Sequence, residues 1–427
     1  MSEQTKKIMK IIHTADWHIG QTFFGYERIE EHQFFLDWLT AQITALEADI
    51  LLVCGDIFDV ANPSAQAQRQ FYRFLKQATT RNPGLQIIII AGNHDSATRL
   101  ETPVPLLEEM NIYIRGVVPR KNTGEIDMER LIIELKDRNG KREGWCMAVP
   151  YLRQGDYPPG DAEENPYGKG VKRMYDALLA AIEQRRQADE AIVAMGHLQT
   201  CGCWLSENDP SERLIIGGLE GLPEDTFSPE ITYTALGHIH REQWVNKQKA
   251  IRYAGSPLPM SFAEENYRHG VIFLEISAGK IIRQKKIPFC PPTPLLRIPR
   301  HPEPLSDVLL YLAQLPEETE HEAAPYLEVC VLLTGPEPAL RNRIEEAVQH
   351  KNVRLTRVVP FYPETTSAES SAGFISAEEL MDPWKMLQTV YEKKYRQTVP
   401  DYLARLFRTA LEESYSKLED THENTTH

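Results

Sequence analysis

Residues 50–53 (Ile-Leu-Leu-Val) and 87–91 (Ile-Ile-Ile-Ile-Ala) are apolar at every position. Runs of this kind, rich in β-branched residues, read as strands buried on both faces. A shorter strand over residues 10–14 precedes them. Each of the three ends in a polar cluster: Asp16-Trp17-His18, Gly55-Asp56-Ile57-Phe58-Asp59 and Gly92-Asn93-His94-Asp95. Between them, Ile29, Phe35, Leu36, Leu39, Ile43 and Leu46 recur at helical spacing, and Pro63-Ser64 opens a second helix reaching residue 78. The pattern is β-α-β-α-β with chemistry-bearing side chains at the strand ends. It predicts an α/β sandwich whose active edge lies beyond the carboxyl ends of its strands. Gly92-Asn93-His94-Asp95 alone would pass for a turn, because Asn and Asp suit turns.

The rest of the chain repeats the motif. Residues 131–149 read as antiparallel strands around the turn Arg138-Asn139-Gly140-Lys141, residues 156–170 as a loop, and 171–186 as a helix. Strands at 191–195 and 232–236 end in Gly196-His197 and Gly237-His238-Ile239-His240. Strands near 252–254, 271–276 and 280–287 close this part, with a second sheet packed on the first. The proline-rich stretch 288–294 marks a domain boundary. A small β-α-β-α-β unit follows over 295–359 without polar clusters of its own. The domains expected are an extension at 1–8, a main domain at 9–289, a small domain at 290–362, a linker at 363–375, helices within 376–418 (at 377–395 and 400–418) and a disordered tail at 419–427.

At 427 residues two to four domains are expected, at about 100–200 residues each. The net charge of −14 excludes a chain coated in positive potential, but leaves room for a local groove around bound cations. Cys54, Cys146, Cys201, Cys203, Cys290 and Cys330 form no short, even framework. Together with the lack of a signal peptide and of any membrane-spanning run, this points to a reducing cytoplasm. Cys201 and Cys203 read as reduced loop cysteines, because two further zinc ligands are missing.

Asp16/His18 and His238/His240 are i, i+2 pairs, which point the same way on an extended backbone. Imidazoles, carboxylates and an amide oxygen suit Mn²⁺, Fe²⁺ or Zn²⁺, and the lack of thiolates disfavours a structural zinc site. A two-ion site about 3.5–4 Å across needs a bridging carboxylate, and Asp56 is the best placed. Any one of these histidines alone would be an ordinary hydrogen-bonded residue. Five such clusters in order are not.

Those clusters, in the wording His13-Thr14-Ala15-Asp16-Trp17-His18-Ile19-Gly20, Gly55-Asp56-Ile57-Phe58-Asp59, Ala91-Gly92-Asn93-His94-Asp95-Ser96, Gly196-His197-Leu198, Leu236-Gly237-His238-Ile239-His240 and Tyr253-Ala254-Gly255-Ser256-Pro257, resemble the calcineurin-like metallophosphoesterases. Among these, the resemblance is nearest to the nuclease subunits of double-strand-break repair complexes. It implies that Asp16, His18 and His240 hold one ion, Asn93, His197 and His238 the other, and that Asp56 bridges them. It makes His94 the acid or stabiliser at the scissile phosphate, with Asp95 orienting it. Archaeal and eukaryotic relatives carry a second catalytic histidine where this chain, like the bacterial branch, has Asp59; Asp59 either orients His94 or is structural. The implied activity is Mn²⁺-dependent exo- and endonucleolytic cleavage of DNA ends and hairpins. The competing readings are a free-standing phosphodiesterase, against which the C-terminal third argues, and a scaffold that has lost its chemistry, against which the filled ligand positions argue.

Basic clusters lie at 115–121, 136–142, 169–173 and 283–286, each by itself reading as solvated surface. No GxxxxGK[ST] phosphate loop is present, so the resemblance implies a separate ATPase chain, in an assembly containing two copies of this one. The apolar stripe Leu380, Trp384, Leu387, Val390 and Tyr391 would grip that partner or dock on its own domain. The unit at 290–362 would be the family's capping domain.

Overall fold

In the computed structural model the apolar runs lie side by side at the centre of a six-stranded sheet. The structure describes residues 8–160, 166–201, 203, 221–246, 249–317 and 324–363, and further on 384, 387, 388, 391, 395, 398–400, 403, 404, 406 and 407. The chain forms two compact units, Met1–Pro363 and Glu364–His427.

The first sheet runs Lys280–Pro288, Gly270–Ser277, Met9–Thr14, Ile50–Cys54, Gln86–Ile90, Ile112–Arg115. Its last four strands are parallel. The second runs Gln243–Asn246, Lys249–Tyr253, Tyr233–Gly237, Ala191–His197, Arg142–Ala148, Ile132–Lys136. Side chains alternate across each strand. Ile11, Leu52 and Ile88 meet Val193 and Ala235 between the sheets. Ile12, Leu51, Val53, Ile87 and Ile89 face the helices Ile29–Leu46 and Ala65–Arg81. The second helix begins where Ser64 accepts the Ala67 amide at 3.2 Å, a cap worth about 1 kcal/mol. The helix Pro166–Glu183 covers the far face of the second sheet with Val171, Met174, Leu178 and Ile182.

Two sequence expectations are corrected here. The hairpin Gly270–Ser277/Lys280–Pro288 does not extend the second sheet. It returns to the first, where Leu274 pairs with Ile11. The helix expected from residue 171 starts at Pro166. Gly168 and Gly170 weaken its local signal, but the buried Tyr167 anchors the first turn.

The small unit is a parallel sheet of Leu295–Pro304, Tyr326–Leu332 and Arg354–Phe361. The helices Leu305–Ala313 and Leu340–Val348 pack on it through Val308, Leu312 and Ile344. It is fastened to the larger body by Tyr326, whose ring lies 4.6 Å from that of Phe23 and whose hydroxyl donates to Glu31 at 2.5 Å. Glu31 also pairs with the fully buried Arg28 at 2.8 Å, which donates to the Pro259 carbonyl at 2.7 Å. A guanidinium so buried requires partners of this kind.

In the second unit Trp384, Leu387 and Tyr391 are helical. The rings of Trp384 and Phe407 are 6.0 Å apart. Leu380 and Val390 lie outside the described residues, as do residues 1–7, 364–375 and 419–427. No described helix is long and apolar enough to cross a membrane.

Candidate metal centre

All seven candidate ligands lie at or just past the carboxyl ends of strands from both sheets. The turn carrying Asp16 and His18 is held by Trp17. Its indole donates to Thr14 at 2.9 Å and packs edge-on against Phe35, Phe71 and Phe74. Asp16, His18, Asp56 and His238 all have left-handed backbones, with φ of 54°, 46°, 49° and 95°. Non-glycine residues persist there only when the surroundings over-determine them, and such strain gathers at functional sites. The i, i+2 pairs therefore do not converge along extended strands. They converge through bends, and His238 and His240 reach different clusters.

One cluster is Asp16, His18 and His240, and the other is Asp56, His197 and His238; within each, candidate ligand atoms lie within 4.8 Å of one another. Asn93 joins the second, its Oδ1 lying 2.9 Å from His197 Nε2 and 3.1 Å from His238 Nδ1. Asp56 stands between them, with Oδ2 3.3 Å from His197 Nε2 and 3.7 Å from His18 Nε2. Backbone amides aim both carboxylates. His94 N–H donates to Asp56 Oδ1 and His238 N–H to Asp16 Oδ1, each at 2.9 Å. Two close approaches require glycine: a Cβ on Gly92 would strike Asp56, and one on Gly237 would strike the Cys54 carbonyl.

The donor set fits cations. Asp16 Oδ2 and both ring nitrogens of His18 are buried without a hydrogen-bond partner, a costly state unless something else satisfies them. His197 Nδ1 faces the Cys54 carbonyl at 2.9 Å. A carbonyl only accepts, so Nδ1 carries a hydrogen in either protonation state, and Nε2 is the nitrogen left to give up its proton to a cation. Burial pulls the His197 imidazole down, but the Asp56 and Asp16 carboxylates outweigh this and hold it up at about 9. Burial likewise pushes the Asp56 carboxyl up, yet His197, His18 and His94 keep it well below its usual range. A divalent ion would take the place of the imidazole proton and face the same carboxylates.

His94 is half-buried and clusters with His18 and Asp59. Its Nδ1 lies 2.8 Å from the backbone carbonyl of Asp59. Asp95 therefore does not orient the ring. Its carboxylate accepts the amides of Ile57, Phe58 and Gly92 at 3.1, 3.0 and 2.9 Å, which ties two strand-end loops together. Burial and the nearby Asp56 carboxylate push Asp95 up to about 6 against those donors. Asp59 orients His94 through its main chain, while its carboxylate lies 3.3 Å from His18 Nδ1. Asp95→Ala is expected to lower stability by about 3 kcal/mol, since it leaves three amide donors unsatisfied. Urea unfolding measures it, and a loss under about 1 kcal/mol would contradict the fastening role.

Sequence reasoning missed Glu264, fully buried with Oε1 2.9 Å from His240 Nδ1. It also missed Tyr151, whose ring is 6.2 Å from that of His197. Neither stands in a distinctive motif. Much of the basic charge is paired: Lys136 with Glu134, Arg142 with Glu190 and Glu134, Lys172 with Asp176, Arg283 with Glu275, and Lys286 with Glu242. Cys201 and Cys203 are free thiols.

A two-sheet sandwich with carboxylates, imidazoles and an amide at its strand ends defines a metal-dependent phosphoesterase. Residues 9–242 match the calcineurin-like phosphoesterase family, and residues 291–395 match a family described as the type 5 capsule protein repressor C-terminal domain. The chain is 38% identical over 365 residues to a protein named as the SbcD subunit of nuclease SbcCD from Rhodobacter capsulatus, covering 84% of this chain and 88% of the relative. It is 32% identical over 302 residues to the Escherichia coli K12 protein of that name, covering 68% and 71%. With the Bacillus subtilis protein of that name it shares 29% over 277 residues, covering 64% and 67%. The chain belongs to the SbcD family of SbcCD nuclease subunits, within the calcineurin-like phosphoesterases. Its phosphoesterase domain binds divalent metal.

Proposed function

We propose that this chain is the nuclease subunit of an SbcCD-type complex, hydrolysing DNA phosphodiesters with two divalent ions. The observation that supports the ligand assignment is the pair of donor sets on either side of Asp56, with Asp16 Oδ2 buried and without a hydrogen-bond partner. Asp16, His18 and His240 would hold one ion and Asn93, His197 and His238 the other, with Asp56 as the carboxylate that would serve both. Mn²⁺ fits a set of imidazole, carboxylate and amide donors without thiolates. Bound ions would supply positive charge against the phosphoryl oxygens, where negative charge develops during displacement.

The protein's own residues do the rest. His94, held at Nδ1 by the Asp59 carbonyl, presents Nε2 to the scissile phosphate, where Nε2–H gives its proton to the leaving oxygen as that oxygen's bond to phosphorus breaks. Asp59 is a positioning residue for His94 and His18, and Asp95 fixes the loops that carry Asp56 and His94. The substrates are duplex ends, cut exonucleolytically, and hairpins or single strands, cut endonucleolytically. The working assembly is cytoplasmic and pairs two copies of this chain with two SbcC-type ATPase subunits.

A Mn²⁺ titration of cleavage on linear duplex DNA, with and without an SbcC-type ATPase, tests this reading. Activity should rise from baseline with the ion and increase further with the partner. Cleavage that is unchanged by chelation would sink it.

Partner binding is assigned to the second unit, through Leu380, Trp384, Leu387 and Tyr391, because an apolar helical stripe suits a groove on another chain. Removing residues 374–427 is expected to spare hydrolysis of short substrates and abolish co-purification with the ATPase. Undiminished co-purification rules out this surface.

A further inference from the structure

The turn Phe262–Glu264 lies between the metal centre and the small three-stranded sheet, and it touches both. On one side, Glu264 Oε1 is 2.9 Å from His240 Nδ1, while Oε2 accepts the Met260 amide at 3.0 Å. On the other side, Phe262 packs with Phe23 and Tyr326, and its carbonyl accepts a hydrogen bond from Arg297 at 3.1 Å. Arg297 sits on the first strand of the small sheet. It pairs with Glu328 of the neighbouring strand at 2.7 Å and with Glu265 at 3.0 Å. The small sheet therefore holds the turn at its main chain, and the turn holds the imidazole.

A buried carboxylate is tolerated only with partners. It accepts and does not donate, so the facing Nδ1 of His240 carries the hydrogen and Nε2 keeps its lone pair. Such a carboxylate fixes ring orientation and raises the basicity of the ligand. The second cluster is held differently. His197 is oriented by the Cys54 carbonyl, a contact between the two large sheets.

We propose that Glu264 is a positioning residue for His240, and that the small sheet holds it there through Arg297 and Phe262. The seating of that sheet then sets cation affinity at the Asp16/His18/His240 position and not at the Asn93/His197/His238 position. The inference rests on the ligand assignment above.

Mn²⁺ binding to the full chain, followed by electron paramagnetic resonance titration, tests it. Glu264→Ala should keep one ion at wild-type affinity and weaken the other by about 10–100-fold. Glu264→Gln, whose amide oxygen can still accept from Nδ1–H, should recover most of that loss. Arg297→Met should weaken the same ion and leave the other alone. Wild-type binding at both positions in Glu264→Ala overturns the positioning role, as does equal weakening of both, which a purely structural role would produce. Unchanged binding in Arg297→Met overturns the link to the small sheet. If Glu264→Ala does not fold, wild-type affinities at both positions in Glu264→Asp, whose shorter carboxylate withdraws from Nδ1, overturn the proposal in the same way. Asp56→Asn, measured alongside, separates the two readings: should it also retain both ions, the ligand assignment fails and not the relay built on it.

Discussion

Replacing His94 by alanine is expected to leave two Mn²⁺ ions bound and to lower DNA cleavage by about 10²–10⁴-fold, the usual contribution of a positioned general acid. Two contacts frame what the substitution removes and what it keeps. Its Nδ1 is committed to the Asp59 carbonyl at 2.8 Å, and its backbone amide, which alanine retains, aims Asp56. The substitution thus removes the imidazole without disturbing the bridging carboxylate. Metal stoichiometry and single-turnover cleavage, measured on the same preparation, decide the matter. Loss of one ion would make His94 a ligand, and full activity with both ions bound would remove it from the chemistry.

Asp56→Asn should have the opposite signature, with neither ion held tightly. The amide keeps an oxygen for the His94 N–H, so the loop is preserved, but a neutral group then stands between the two clusters where a carboxylate faced His18 and His197. Outer-shell partners alone are worth about 10–100-fold in metal affinity. If Asp56 bridges as proposed, its loss should therefore cost about 10³-fold or more, and activity should vanish with it. Equilibrium dialysis against Mn²⁺ reads the effect directly. Retention of one ion at full affinity would show that Asp56 serves a single position and does not bridge.

The strands and the place of the candidate site were legible because both follow from local pattern. Residues 50–53 and 87–91 can only be strands buried on both faces, and the polar side chains that follow them have nowhere to lie except the sheet edge. The path of the hairpin Gly270–Ser277/Lys280–Pro288 was not legible. Its pairing with Met9–Thr14 joins residues far apart in the chain, and no local pattern encodes that choice. Asp95 was misjudged for a different reason. Its neighbour His94 suggested a side-chain partner, whereas backbone amides, which sequence does not distinguish, claim its carboxylate. The same blindness hid the Asp59 and Cys54 carbonyls. Glu264 stands in no motif that points to a metal; only the fold brings it to His240.

The amide of His238 meets the carboxylate of Asp16 across a sequence separation of 222 residues, and the two ends of that contact belong to different sheets. Neither cation position therefore exists until the sheets have docked. An ion selective for the assembled seam acts as a clasp. By mass action it adds about 2.7 kcal/mol to folding stability at a hundred times its dissociation constant. On the proposed ligand assignment, divalent-ion concentration would then set how firmly this fold stays shut.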